Sequence, residues 1–180
     1  MRLFPLILAL AVGPSVWLTL LVPEAAAQNA PLVADPGQDQ FEFCKQLYRQ
    51  ANGEQDPSLR ANAYKRAIPR LNAYLQRFPK HANTAAATYY LGECYYHSGA
   101  LDDGKRVLHS VVNRYRKGRY VALASNRLGY DAVSQKKYGQ AAVHFGRVAT
   151  MASTAKERYR GRYQEASCYR YAGMTDMAIR

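Results

Sequence analysis

The residues with the most chemical potential cluster between positions 93 and 105. Gly99-Ala100-Leu101-Asp102-Asp103-Gly104-Lys105 follows the frame G-x-x-x-x-G-K. A loop of that kind cradles phosphates on backbone N–H groups, and a following Ser or Thr holds Mg²⁺. Arg106 stands in that last place, with helix-like sequence on both sides, so the pattern reads as a near-miss. Cys94 and His97 lie at i, i+3 and could supply two metal ligands, but a structural zinc site takes four and no second Cys/His pair is close in sequence. Glu93 and His97 at i, i+4 could work as an acid–base pair. The same spacing more commonly gives a surface contact on a helix. Neither G-x-S-x-G nor H-E-x-x-H occurs. The expectation is therefore a chain with no catalytic residues, no metal and no cofactor.

The elements that position these residues recur. Leu91-Gly92, followed by Tyr95 and Gly99, returns 37 residues later as Leu128-Gly129. After a further 37 residues Ala166 takes the Gly place, followed by Tyr169 and Gly173. A second series, Ala67, Gly104, Ala141 and Ala178, has the same period of 37, and its first three members precede Leu71, Leu108 and Phe145 by four residues. Small residues on two antiparallel helices let the backbones approach, and the large residue one turn on fills the flank. Gly99 and Gly173 suit left-handed helix ends. Each unit is then a helix–turn–helix that buries its apolar face only by stacking on its neighbours.

The spacing L-G-x-x-Y, a turn, then a small residue and an aromatic or Leu resembles the tetratricopeptide repeat, whose usual period is about 34 residues. The segments Tyr74-Leu75-Gln76-Arg77-Phe78-Pro79-Lys80-His81 and Tyr89-Tyr90-Leu91-Gly92-Glu93-Cys94-Tyr95-Tyr96 are most similar to exported bacterial members. Those include the periplasmic Tol-Pal-associated cell-division coordinator and the outer-membrane assembly lipoproteins. The lipid-bearing Cys of the latter and the coiled-coil region of the former have no counterpart here. The resemblance covers roughly residues 58–180. It implies an all-α, right-handed solenoid that binds a protein or peptide rather than an enzyme.

Helices are expected at about 39–51, 58–78, 83–98, 101–116, 120–135, 138–151 and 156–172, with a last one starting near Thr175. Pro69 should kink or interrupt the second. Ala178 would begin the second helix of a unit two residues before the end of the sequence, which suggests a fragment of a longer repeat protein or an end covered by another chain.

In the resembled family the first helix of each unit lines the concave face. Transferred by phase, this gives Tyr89, Glu93, Tyr96 and His97, then Asn126, Tyr130 and Ser134, then Tyr163, Arg170 and Tyr171. Tyr accounts for 15 of 180 residues. A Tyr ring covers area at little entropic cost and keeps a hydroxyl for a partner's backbone, but it serves inter-repeat cores equally well. Both readings stay open at this point.

Charge is lopsided. The formal net charge is +12. Residues 28–103 hold 8 basic and 8 acidic residues, whereas 104–180 hold 16 and 4. Arg114, Arg116, Lys117 and Arg119 form one cluster; Lys156, Arg158, Arg160 and Arg162 form another one period on. A shared basic edge follows, either simply solvated or facing an acidic protein segment, an anionic lipid surface or an acidic wall polymer.

The first 27 residues have the layout of an export signal: Arg2, an apolar run from Leu3 to Val22, and Ala25-Ala26-Ala27 as the cleavage site. Gly13-Pro14 in the apolar run favours a cleaved signal over an uncleaved inner-membrane anchor formed by residues 3–22. Residues 28–38 read as a linker and 39–180 as the repeat domain. Three Cys cannot close a disulfide framework, and export makes nucleic acid an unexpected partner despite the basic balance. The expected location is periplasmic, and the partner a protein or peptide, with acidic character matching the edge.

Overall fold

A computed structural model describes residues 35–179 except Arg116. The expected signal and anchor segment, Arg116, and residues 28–34 of the expected linker lie outside the described residues. Every regular element described is an α-helix: α1 (Pro36–Gly53), α2 (Pro57–Arg77), α3 (Thr84–His97), α4 (Leu101–Arg114), α5 (Arg119–Ser134), α6 (Tyr138–Met151), α7 (Ala155–Tyr171) and α8 (Thr175–Ala178). Each packs on the next, and α3 also packs on α1 and α5. The odd-numbered helices thus form one layer and the even-numbered helices lie behind it. The fold is an all-α repeat solenoid of helix–turn–helix units.

Local chemistry sets the helix starts. Asp35 caps α1 by accepting from the N–H groups of Gly37 and Gln38, and Pro36 fits the first turn because its missing N–H would have no intrahelical partner. The helix therefore begins inside the segment expected as linker. Asp56 caps α2 in the same way through Ser58 and Leu59. Thr154 and Glu157 form a reciprocal capping box at α7. Pro69 does not interrupt α2, which runs on to Arg77. Pro69 and Lys65, whose carbonyl loses its usual donor, are both exposed, so water can satisfy that carbonyl.

The helix ends repeat with the sequence period. Gly99, Lys136 and Gly173 have φ of 94°, 57° and 74°. At each, the residue after the turn donates back into the preceding helix: Ala100 to Tyr95, Lys137 to Ala132 and Met174 to Tyr169. The turn residue itself donates to Tyr96, Val133 and Arg170 respectively. This is one Schellman cap made three times. Lys136 adopts the left-handed conformation without being glycine, which is why the middle turn lacks the glycine signal in sequence.

Behind the caps, the small residues act as the period implied. A Cβ on Gly92 would lie 2.7 Å from the Leu108 side chain, and one on Gly129 would lie 2.8 Å from Phe145. Gly92 and Gly129, like Leu108 and Phe145, are one period apart. Gly104 meets backbone: an added Cβ would lie 2.8 Å from the N of Tyr96. Ala141 is fully buried in the same position of the next unit. Phe41, Cys44, Tyr64, Leu71, Tyr74 and Cys94 fill the core between α1, α2 and α3. Phe145, Ala141 and Cys168 belong to a separate cluster between α5, α6 and α7.

Candidate functional site

The layer of odd-numbered helices carries three polar features. The first is the joint between α3 and α5. Arg127 donates from Nε to Glu93 Oε1 at 2.9 Å and from Nη2 to Glu93 Oε2 at 2.8 Å. It also donates to His97 Nε2 at 3.2 Å, and its guanidinium lies 5.1 Å from the centroid of the Tyr96 ring. Tyr96 Oη donates to Asp131, which in turn pairs with Lys105 at 3.1 Å. Burial pushes the Glu93 carboxyl up, but the nearby His97 and the hydrogen bonds and charge of Arg127 outweigh it and hold the group below its ordinary range.

This joint answers part of the expectation for the concave face. Tyr89 and Glu93 are buried and help hold α3 to α5; Arg127 occupies the Glu93 carboxylate, while Tyr89 also lines the groove across α1, α3 and α5. Tyr96 is half-buried by its contact with Arg127. His97 is exposed at its edge and stacks on Tyr64, with ring centroids 5.1 Å apart. The acid–base pairing of Glu93 and His97 is thus occupied by a structural arginine.

The second feature is a groove across α1, α3 and α5. Lys45 and Arg49 stand on one wall, Tyr90 on the floor, and Arg119 and Tyr120 on the other wall. Tyr48 stacks on Tyr90 at 4.6 Å between ring centroids, and Tyr90 meets Tyr120 edge-on at 5.9 Å. Burial, then a hydrogen bond with Tyr120, pushes the Tyr90 hydroxyl up to about 12. Burial also raises Tyr48 and Tyr89. These phenols therefore remain protonated and keep O–H groups beside three cations. The arrangement suits an anionic group that accepts hydrogen bonds while its neighbours cover aromatic surface.

The third feature is a cleft between α5 and α7, floored by α6. One end is lined by Arg119, Asn126, Glu157 and Arg160 above Val148 and Ala152. The other is apolar and lined by Tyr130, Tyr138, Phe145, Tyr163, Cys168 and Tyr171. Tyr130 Oη separates the two, accepting from Arg160 Nη2 at 2.9 Å and from the Gln164 amide. Tyr163 and Tyr171 are exposed, and Arg170 lies over the Tyr171 ring at 5.5 Å.

The basic residues do not share one role. Arg119 lines both the groove and the cleft of the odd-numbered layer, and Arg160 lines the cleft. Arg158 donates to the carbonyls of Ala152 and Ser153, closing the end of α6. Arg162 lies beside α8. Arg114, Lys117 and Lys156 are exposed. Lys45, Tyr48, Arg49, Tyr90, Tyr120 and Gln164 were not legible as site residues. The first three lie on α1, ahead of the recognisable repeats, and the others carry no motif.

Residues 58–126 match the tetratricopeptide repeat family. No curated protein and no solved structure matches the chain. Tetratricopeptide repeats generally mediate protein–protein interaction and are typically non-catalytic, which supports a role in holding a protein partner. Among the described residues, no group of three or more His, Cys, Asp or Glu is placed to hold a metal, and no helix is long and apolar enough to cross a membrane.

Proposed function

We propose that the chain is a non-enzymatic interaction scaffold of the bacterial cell envelope that holds an acidic protein or peptide segment on its tyrosine-rich concave face. The observation that carries this reading is the groove in which Lys45, Arg49 and Arg119 converge among protonated tyrosines. Electrostatic complementarity would guide an acidic segment to that face, and the rings would supply contact area. Export rests on the sequence of residues 1–27, and the periplasm follows from it.

A fluorescein-labelled glutamate–tyrosine copolymer tests the groove directly. Its binding should weaken steeply as salt rises, because the Debye length falls from ~10 Å at 0.1 M to ~3 Å at 1 M. Arg49→Gln with Arg119→Gln should reduce binding, whereas Lys117→Gln with Lys156→Gln should leave most of it. Equal loss from both pairs would replace the groove with a diffuse basic surface.

The apolar run from Leu3 to Val22 favours a second reading, in which the chain stays anchored at an anionic membrane surface. N-terminal sequencing of the membrane fraction decides between them: a start after Ala27 supports the released form, and retention of Arg2 supports the anchored one. A third reading makes the chain the repeat arm of a longer envelope enzyme, and the full-length reading frame tests it.

A further inference from the structure

The even-numbered layer carries a pair of histidines that the packing of the repeats does not use. His81 is held by Tyr74 and Asp35, and His97 lies between Glu93, Arg127 and Tyr64. His109 on α4 and His144 on α6 differ: among the described residues, no hydrogen bond or ion pair engages either ring. The two rings lie beside each other, with centroids 5.7 Å apart and planes at 54°. The 37-residue period puts Val107 at the place of His144 and Gly146 at the place of His109, so the pair is not a packing device repeated in every unit.

The two nitrogens of His144 have different surroundings. Nδ1 is sealed and has no partner. Nε2 also has no partner but is not sealed, so this half-buried side chain meets solvent through Nε2, beside the exposed ring of His109. Burial, then the charges of His109 and Arg147, pushes the His144 imidazole down to about 4, which leaves a lone pair on the ring at neutral pH. Two adjacent neutral imidazoles with free nitrogens are ligands for a borderline-soft divalent ion.

We propose that His109 and His144 form a two-imidazole site for Zn²⁺ that bridges α4 and α6, with His144 binding through Nε2 and water completing the coordination. The spacing fits the ion. A Zn²⁺ ~2.0–2.1 Å from one nitrogen of each ring lies about 3.2 Å from each ring centre, so two rings sharing it stand about 5.2 Å apart at a tetrahedral angle and about 6.4 Å apart in line. The observed 5.7 Å falls between these limits. Zn²⁺ has no geometric preference from its d-electrons and accepts the intermediate angle, whereas Cu²⁺ and Ni²⁺ favour square arrangements. The site is separate from Cys94 and His97: Cys94 is fully buried, and His97 is occupied at the Glu93–Arg127 joint. Its affinity is limited, because Nε2 ligation leaves the proton on Nδ1 without an acceptor and Arg147 adds positive charge nearby. The ion would clamp α4 to α6 across the same pair of units that Glu93 and Arg127 join through α3 and α5.

The test is calorimetric titration of Zn²⁺ into the untagged full chain. One equivalent should bind, and the melting temperature should rise with Zn²⁺. His109→Ala and His144→Ala should each weaken binding by at least about tenfold and abolish that rise. The double variant should bind little worse than either single one, since one imidazole alone makes no bridge. His97→Ala should leave the affinity unchanged, and Arg147→Gln should tighten it severalfold. Long-range ¹H–¹⁵N spectra assign the ligands: Zn²⁺ should move Nε2 of His144 and one nitrogen of His109, and leave the rings of His81 and His97 in place.

His109 is exposed, so His109→Ala can be judged without concern for the fold; circular dichroism establishes that the other variants are folded. Wild-type affinity in either single variant would overturn the site. So would ring signals that move at His81 or His97 instead, or a wild-type chain that takes up no Zn²⁺. None of these outcomes bears on the groove of α1, α3 and α5, whose copolymer test is made without metal.

Discussion

Arg127 holds Glu93 through two hydrogen bonds, at 2.9 and 2.8 Å, across the joint between two consecutive units of the solenoid. Glu93 is 2% exposed, so its charge has little recourse to water if the arginine is removed. Arg127→Met should destabilise the protein by about 3 kcal/mol, whereas the double variant Glu93→Leu/Arg127→Met should lose less, because it strands no charge. Urea denaturation of the three proteins checks this. The folded-state pKa of Glu93 is lowered, so its contribution is complete above the ordinary carboxylate value of 4.5 and lost as pH falls below it. The stability gap between wild type and Glu93→Gln should therefore shrink in acid.

Two helices of one unit approach tightly at Gly104, where a side chain would meet the backbone of Tyr96. Backbone cannot step aside as a flexible side chain can. Gly104→Leu should cost about 1–3 kcal/mol through overpacking. A Leu variant that melts like the wild type would contradict the packing.

Lys136 holds a left-handed conformation that its two repeat equivalents fill with glycine. Lys136→Gly removes the Cβ strain and adds backbone entropy to the unfolded chain, leaving a net gain of about 0.5–1 kcal/mol. A rise in melting temperature is expected, and no rise would mean that the Lys136 turn is unstrained.

The three thiols are free and buried, and Cys94 and Cys168 belong to separate clusters. Burial, followed by the nearby Glu93 charge, pushes the Cys94 thiol up to about 12. Iodoacetamide should label the native protein slowly at mildly alkaline pH and label all three thiols once it is unfolded. Peptide mapping without reductant should give no Cys94–Cys168 link; finding one would require these two helices to lie far closer than the stacking allows.

These features differ in how openly the sequence displays them. The 37-residue period is visible because the closest helix contacts admit only Gly or Ala, as at Gly92, Gly104 and Ala141. Helix starts are visible where Asp35, Asp56 and Thr154 cap them. The role of Glu93 is not visible, because its partner lies in the next unit and the nearer His97 offers a simpler pairing. Lys136 hides its turn because stacking, rather than the preference of lysine, sets its conformation. Tyr89 and Tyr90 show the limit of phase arguments: adjacent and chemically identical, both line the groove, yet Tyr89 is buried and Tyr90 only half-buried.

The three identical caps have a consequence for how such a chain changes length. The residues following the left-handed positions, Ala100, Lys137 and Met174, have nearly the same backbone angles, with φ between −85° and −96° and ψ between 61° and 65°. A chain cut after one of them and rejoined after the next would enter its new helix at the old angle. Loss or duplication of residues 101–137 would therefore change the number of units without requiring a new loop. Homologous relatives are accordingly expected to differ by whole multiples of this segment, with their grooves lengthened or shortened in discrete steps.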